Sequence, residues 1–284
     1  MTHAASLRSR LSGGESVLMP GVWDPLSALL AERAGFHTVF VSGFAVAGTL
    51  LGEPDIGIID QANMADVARR VCVAAPDLCV VVDADTGYGD TRDVQITTEL
   101  WEAAGASGMF LEDQVWPKKC GHMDGKQVVP TEEWLTKLKT VMNTRSDIFL
   151  TARTDARAVN GLPDALERGR MARDLGVDAV FVEAPQSLSE LDQIAAALPD
   201  VVLVANMVEK GKTPLLTPSE LADRGFTLIV SPLSGLLSAA KAVGDAYGRL
   251  QAFGTLRDRL DTITAFDEFT DIVGLPKHLA NDAE

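Results

Sequence analysis

Eight short apolar runs recur along this chain, each separated from the next by a helix-length segment. They are SVLMPG from Ser16, HTVFVSG from His37, LCVVVDAD from Leu78, SGMFLED from Ser107, DIFLTARTD from Asp147, DAVFVEAP from Asp178, VVLVANM from Val201 and FTLIVSP from Phe226. Val, Ile and Leu in near-continuous runs, without polar alternation, are the pattern of strands buried on both faces, and the links suit right-handed parallel crossovers. The links share a device. Arg33-Ala34-Gly35, Ala103-Ala104-Gly105, Asp174-Leu175-Gly176 and Asp223-Arg224-Gly225 each set a glycine just before a strand. Glycine there supplies the left-handed residue that ends a helix and turns the chain.

This pattern predicts an α/β fold, a (β/α)8 TIM-type barrel over residues 1–236, with a doubly wound open sheet as its competitor. Beyond Ser231 the chain reads as helix through LRDRLDTITAFDEFTDIV to the polar tail KHLANDAE. That is more helix than closing a barrel requires. Residues 237–284 are therefore expected to form a helical extension, either packed as a subdomain or laid over a neighbouring subunit.

A length of 284 residues is routine for one α/β barrel. Forty acidic against 25 basic side chains give a charge of -15, which repels phosphate backbones and anionic membranes, so neither nucleic acid nor membrane is an expected partner. Cys72, Cys79 and Cys120 cannot all pair within the chain and lack zinc-ligand spacing. Cys72 and Cys79 sit in apolar helix and strand patterns and read as small buried hydrophobes. The segment MTHAASLRSRLSGG has basic residues but no apolar core region, and no apolar run reaches membrane-spanning length. A cytoplasmic protein is the expectation.

Polar residues gather at the carboxyl ends of the predicted strands, where barrel active sites are built: Ser42, Asp83, Asp85, Glu112, Arg153, Asp155, Glu183, Asn206 and Ser231. For Asp155 and Ser231 a helix cap or a neighbouring partner explains the residue equally well. Asp83, Asp85 and Glu112 differ, because carboxylates crowded at one barrel mouth repel each other without a cation. Oxygen ligands select a hard ion, Mg²⁺ or alternatively Mn²⁺. The polar loop Lys118-Lys119-Cys120-Gly121-His122 follows the fourth strand and reads as a proton donor on a lid, its thiol acidity tuned by the adjacent lysines and histidine. His122 either orients a substrate carboxylate or bonds the loop backbone. Tyr88 reads as a pocket or lid residue, Trp116 and Pro117 as loop packing, and His3, His37 and His278 as structural or solvated.

The runs SGFAVAGTLLGEPDIG, DADTGYGD, EDQVWPKKCGH, ARTDA, FVEAP and ANMVEKGKTP stand in the order found in the isocitrate lyase/phosphoenolpyruvate mutase superfamily. From Met19 to about Leu236 the chain resembles that superfamily, closest in pattern to its short bacterial 2-methylisocitrate lyase-like carbon–carbon lyases. The resemblance implies a Mg²⁺ site with Asp85 nearest the ion and Asp83, Asp55 and Glu112 acting largely through water. It implies that Ser42, Gly43 and Phe44 hold one end of the substrate and Arg153 grips a carboxylate, with Gly121, His122, Glu183 and Asn206 completing the pocket. It makes Cys120 the proton donor, with Arg153, His122 and Glu112 as catalytic companions. It also implies a dimer of dimers with exchanged C-terminal helices.

The residues agree with cleavage of a 2-hydroxy di- or tricarboxylate, of the methylisocitrate or dimethylmalate kind, to a 2-oxo acid and a carboxylate. A 2-hydroxy acid can chelate Mg²⁺, and loss of its hydroxyl proton sets up expulsion of the adjacent carbon. One residue departs from the resemblance: Phe40 stands where the family lyases usually carry a tyrosine to handle that proton. Three rivals remain at this stage: an oxaloacetate hydrolase or decarboxylase, a phosphonate carbon–phosphorus mutase or hydrolase, and a degenerate barrel that only binds metabolites.

Overall fold

The computed structural model describes residues 1–281; residues 282–284, the end of the predicted polar tail, lie outside the described residues. Each predicted apolar run forms a strand: β1 Val17–Val22, β2 Thr38–Val41, β3 Cys79–Asp83, β4 Gly108–Glu112, β5 Phe149–Thr154, β6 Ala179–Val182, β7 Val202–Asn206 and β8 Phe226–Ser231. Sequential strands pair in parallel, and β8 returns to β1 in register from Val17 opposite Leu228 to Pro20 opposite Ser231. The sheet is thus a closed (β/α)8 barrel, which excludes the open doubly wound sheet. Gly35, Gly105, Gly176 and Gly225, the predicted helix-ending residues, all have φ between +87° and +92°.

Alternate side chains of each strand divide between two cores. One set fills the barrel: Met19, Phe40, Val81, Phe110, Phe149, Phe181, Val204 and Leu228. The other faces the helical layer, where Trp101 and Trp134 are fully buried. Phe40, the departure from the resemblance, packs against Phe110 with ring centroids 4.9 Å apart.

A helix for which the sequence reading assigned no element, His3–Ser12, closes the amino-terminal end of the barrel. Its Leu7 and Leu11 enter the interior core. Arg8 anchors it, pairing with Asp147 and Asp178, both at 2.7 Å, beside the starts of β5 and β6.

At the other side of the ring, the helix after β8 departs from the pattern. Ser234–Phe253 runs unbroken through the 236/237 boundary read from sequence, touches β1 near its start, and buries none of its side chains. Leu237, Val243, Tyr247, Leu250 and Phe253 are exposed, as are Phe266 and Phe269 of the helix Phe266–Ile272. Among the described residues no helix is long and apolar enough to cross a membrane.

Candidate active site

The carboxyl ends of the strands surround one cavity. Ser42, Phe44, Asp55, Asp83, Cys120, Gly121, His122, Arg153, Glu183 and Asn206 line it, and Phe40, Phe110, Phe181, Val230, Pro232 and Leu233 supply its apolar wall. Gly43 lies beside it: a Cβ there would stand 3.1 Å from Asp83 Oδ2, so the bare backbone lets the two segments meet. Ser42 ends β2 and caps the short helix Gly43–Val46, its hydroxyl accepting from the Ala45 N–H at 3.4 Å. Asp85 and Glu112, predicted as ligands beside Asp83 and Asp55, are absent from this wall. They sit behind it, 1% and 2% exposed.

Lys118 explains what those deeper carboxylates face. Its Nζ, itself buried, lies 2.5 Å from Asp55 Oδ1 and 2.8 Å from Asp85 Oδ1. The angles leave Asp55 Oδ1 and both Asp85 oxygens without a directed hydrogen bond, and both Glu112 oxygens are likewise buried and without one. Burial pushes the Asp85 carboxyl up to about 7 against the pull of Lys118, and Asp83 and Asp55 push it further the same way. Burial also pushes Glu112 well up, although Arg153 Nη1 stands 3.1 Å from it and pulls it down. Buried carboxylate oxygens lacking donors suit a hard divalent cation better than any nitrogen or sulfur ligand set would. Among the described residues no three such groups converge at ligand distance, and Lys118 is the cation that now bridges two of them.

The loop between β4 and the helix Thr131–Thr144, read from the sequence as a lid, is tied down along its length. Cys120 N–H donates to the Asp55 carbonyl at 3.1 Å. The Gln114 amide brackets Lys119, donating to its carbonyl at 2.8 Å and accepting from its N–H at 3.0 Å. Lys126, buried, donates to the Gly121 carbonyl and pairs with Asp155 Oδ1 at 2.6 Å. His122 Nδ1 accepts from Lys212 N–H at 3.0 Å, which puts a neutral ring's proton on Nε2, 3.3 Å from Glu183. Burial favours that neutral form, pushing the His122 pKa down against the attraction of Glu183. Of the two roles considered for His122, the structure shows the bond to backbone, on Nδ1, while Nε2 stands beside Glu183 without a directed hydrogen bond.

Arg153 is the hub of the remaining charges. Its guanidinium lies 2.9 Å from Asp155 Oδ2, 3.1 Å from Glu112 and 3.6 Å from Glu183, and stacks over the Phe181 ring at 5.5 Å. Of the two readings offered for Asp155, pairing with neighbours holds: it precedes the helix Ala156–Val159, but its carboxylate makes no capping bond. It stands between Arg153 and Lys126, and although burial opposes its charge, those two cations hold its pKa below the ordinary value. Asn206 donates to Glu183 at 3.3 Å. Ser231 turns away to share a hydrogen with Ser234.

The thiol departs from the sequence expectation. Burial pushes Cys120 up to about 11, outweighing the His122 backbone N–H that it accepts, and Lys118 pulls it down only weakly. Lys119 is exposed. The adjacent lysines therefore do not offset burial at the sulfur, because one is engaged with carboxylates and the other faces solvent. Tyr88 is a lid contact, its ring 5.9 Å from those of Trp101 and Trp116. Sequence reasoning missed Lys126, Lys212 and the burial of Lys118; the run of lysines in KKCGHMDGK was the available signal.

The profile of the family described as phosphoenolpyruvate phosphomutase matches residues 7–250. The chain is 47% identical over 262 residues to the petal death protein of Dianthus caryophyllus, covering 92% of this chain and 82% of that protein. It is 39% identical over 279 residues to the 2,3-dimethylmalate lyase of Eubacterium barkeri, covering 98% and 96%. A crystal structure of 2,3-dimethylmalate lyase superposes with a TM-score of 0.94 at 34% identity, covering 100% of this chain and 95% of that one. Oxaloacetate acetylhydrolase bound to 3,3-difluorooxalacetate also gives 0.94 at 34%, covering 99% and 96%. With the closed barrel, the chain order of its motifs and these matches together, the chain belongs to the phosphoenolpyruvate phosphomutase family and is an enzyme of the isocitrate lyase/phosphoenolpyruvate mutase superfamily.

Proposed function

We propose that this enzyme is a Mg²⁺-dependent carbon–carbon lyase cleaving a 2-hydroxy di- or tricarboxylate, of the dimethylmalate or methylisocitrate kind, into a 2-oxo acid and a carboxylate. The observation that carries the reading is the placement of Cys120, Arg153 and the carboxylates Asp55, Asp83 and Glu183 around one cavity that also has an apolar wall. A wall of Phe40, Phe110, Phe181 and Pro232 suits a substrate bearing alkyl groups more than bare oxaloacetate. Asp85, Asp83, Asp55 and Glu112 would hold Mg²⁺, or Mn²⁺ in its place. Bound there, the ion would supply Lewis-acid polarisation of the substrate hydroxyl and carboxylate oxygens.

The side chains then divide the work. Arg153 grips a substrate carboxylate by its guanidinium fork, steadied by Asp155. The Ser42 hydroxyl and the Gly43 and Phe44 backbone N–H groups hold the far end, with Asn206, Glu183 and Gly121 shaping the pocket. Phe40 has no proton to exchange, so the hydroxyl proton passes to one of the carboxylates on the cavity wall. Cys120 keeps its proton at neutral pH and delivers it from Sγ to the carbon that cleavage leaves electron-rich. His122 fixes Glu183 and the lid.

In this reading residues 1–236 are the catalytic barrel and residues 237–284 an extension exchanged between subunits of a dimer of dimers. The exposed Tyr247, Phe253 and Phe266 support that exchange. The deciding experiment is a Mg²⁺ assay over 2,3-dimethylmalate, 2-methylisocitrate, oxaloacetate and phosphonopyruvate, following 2-oxo acid release. Cleavage of a 2-hydroxy acid, abolished by Cys120→Ala, is expected. Turnover of oxaloacetate or phosphonopyruvate alone would overturn the lyase reading.

A further inference from the structure

Lys137 neither lines the cavity nor belongs to the ion pairs around it. It lies on the helix that begins where the lid ends, is 7% exposed, and donates from Nζ to the Thr86 carbonyl at 3.1 Å. Among the described residues it has no carboxylate within ion-pair distance of the kind Lys118 and Lys126 have, and burial pushes its pKa below the usual lysine value. A buried ammonium whose one directed partner is a neutral carbonyl is costly to the fold, so the identity of that carbonyl matters.

Thr86 follows Asp85, whose φ is +44°. A residue other than glycine keeps such a left-handed backbone only when its surroundings hold it there. Three contacts within the turn or from the adjacent strand contribute: Asp85 N–H to Asp83 Oδ1 at 3.1 Å, Gly87 N–H to the Ala84 carbonyl at 2.8 Å, and Glu112 N–H to the Asp85 carbonyl at 2.8 Å. The fourth comes from Lys137, reaching in from the helical layer. Among the described residues no other side chain holds the Thr86 carbonyl, and the Thr86 hydroxyl is buried without a partner.

We propose that Lys137 is a positioning residue for the cation site: by fixing the Thr86 carbonyl it holds the strained Asp85 turn with its carboxylate facing Asp55 and Lys118, and so sets the affinity for a divalent ion. This rests on the metal site proposed above. Mn²⁺ titration of the chelator-treated full-length protein, followed by electron paramagnetic resonance, separates the two ideas. If wild type binds no Mn²⁺, or Asp85→Asn binds it as wild type does, the metal site falls and Lys137 with it.

If wild type binds and Asp85→Asn does not, Lys137→Met is expected to raise the Mn²⁺ Kd at least tenfold, and Lys137→Gln, which keeps a donor, by less. The rise in melting temperature on adding Mn²⁺ should shrink in the same order. A merely structural lysine would lower the melting temperature in chelator and leave Kd unchanged. Kd values within twofold of wild type in both variants would overturn the proposal; should Lys137→Met fail to fold, Lys137→Gln decides on the same twofold limit.

Discussion

Lys118 Nζ sits 2.8 Å from Asp85 Oδ1, with both side chains almost wholly out of water, so a lid residue and a strand-end carboxylate share one buried ion pair. Asp55 completes the bridge at 2.5 Å. Removing one partner of a buried pair costs about 3–5 kcal/mol, because the other charge is left uncompensated. Lys118→Met should therefore melt well below wild type in chelator. Mg²⁺ should restore more of its melting temperature than it adds to wild type, since the added cation replaces the missing ammonium. Thermal melts with and without Mg²⁺ read both numbers, and equal increments would show that Lys118 is not the counter-charge.

Burial holds the Cys120 thiol near 11, so its proton stays on through the neutral and mildly alkaline range. Alkylation by iodoacetamide requires the thiolate. In metal-free protein the labelling rate of the Cys120 peptide, read by mass spectrometry, should keep climbing from pH 8 to beyond pH 10. A plateau near pH 9 would mark an ordinary exposed thiol.

Gly121 passes so close to the pocket that an added Cβ would stand 2.7 Å from both Arg153 Nη2 and the Glu183 side chain. Gly121→Ala should keep the lid from seating. We expect kcat/KM to fall by about a hundredfold, equivalent to roughly 2.7 kcal/mol of lost transition-state stabilisation, while Mn²⁺ affinity holds. Kinetics beside a metal titration separate these effects; unchanged kcat/KM would show that the lid does not seat here during turnover.

Asp113 accepts from Asp155 N–H at 2.7 Å, from the Thr154 hydroxyl at 2.6 Å and from Arg168 at 3.1 Å, yet burial and then the Asp155 charge push its pKa from 3.8 to about 6. Between those values the folded protein holds a proton that the unfolded chain has released. The resulting stability is present below 3.8 and is lost as the pH rises through about 6, at most about 3 kcal/mol at 1.36 kcal/mol per unit. Urea unfolding of wild type and Asp113→Asn from pH 4 to 7 should show wild type losing stability relative to the variant across that window. A constant difference would mean that Asp113 stays ionised throughout.

The barrel was legible because strands buried on both faces leave uninterrupted apolar runs, and because a glycine with positive φ ends the helix before β2, β4, β6 and β8. The strand-end residues were legible for the same reason: the polar residue that stops an apolar run is the one at the mouth. Partnerships across the closed lid were not. Lys126 meets Asp155 from 29 positions away, and His122 meets Lys212 from 90, distances at which no local periodicity survives. Lys118 read as a loop lysine, although two aspartates on other segments draw it inside. Lys137 falls within a helix whose pattern is ordinary, and only packing shows its amine reaching Thr86. The helix His3–Ser12 carries an apolar pair, Leu7 and Leu11, one helical turn apart, but two leucines among polar and basic residues are too few to stand out as a core face.

Among the described residues, that same N-terminal helix shuts one end of the barrel. Leu7 and Leu11 plug the floor, and Phe40, Phe110 and Phe181 fill the space between floor and cavity, so the cavity is walled off from that end. Reactant and product must then share the mouth of the barrel, where release competes with entry.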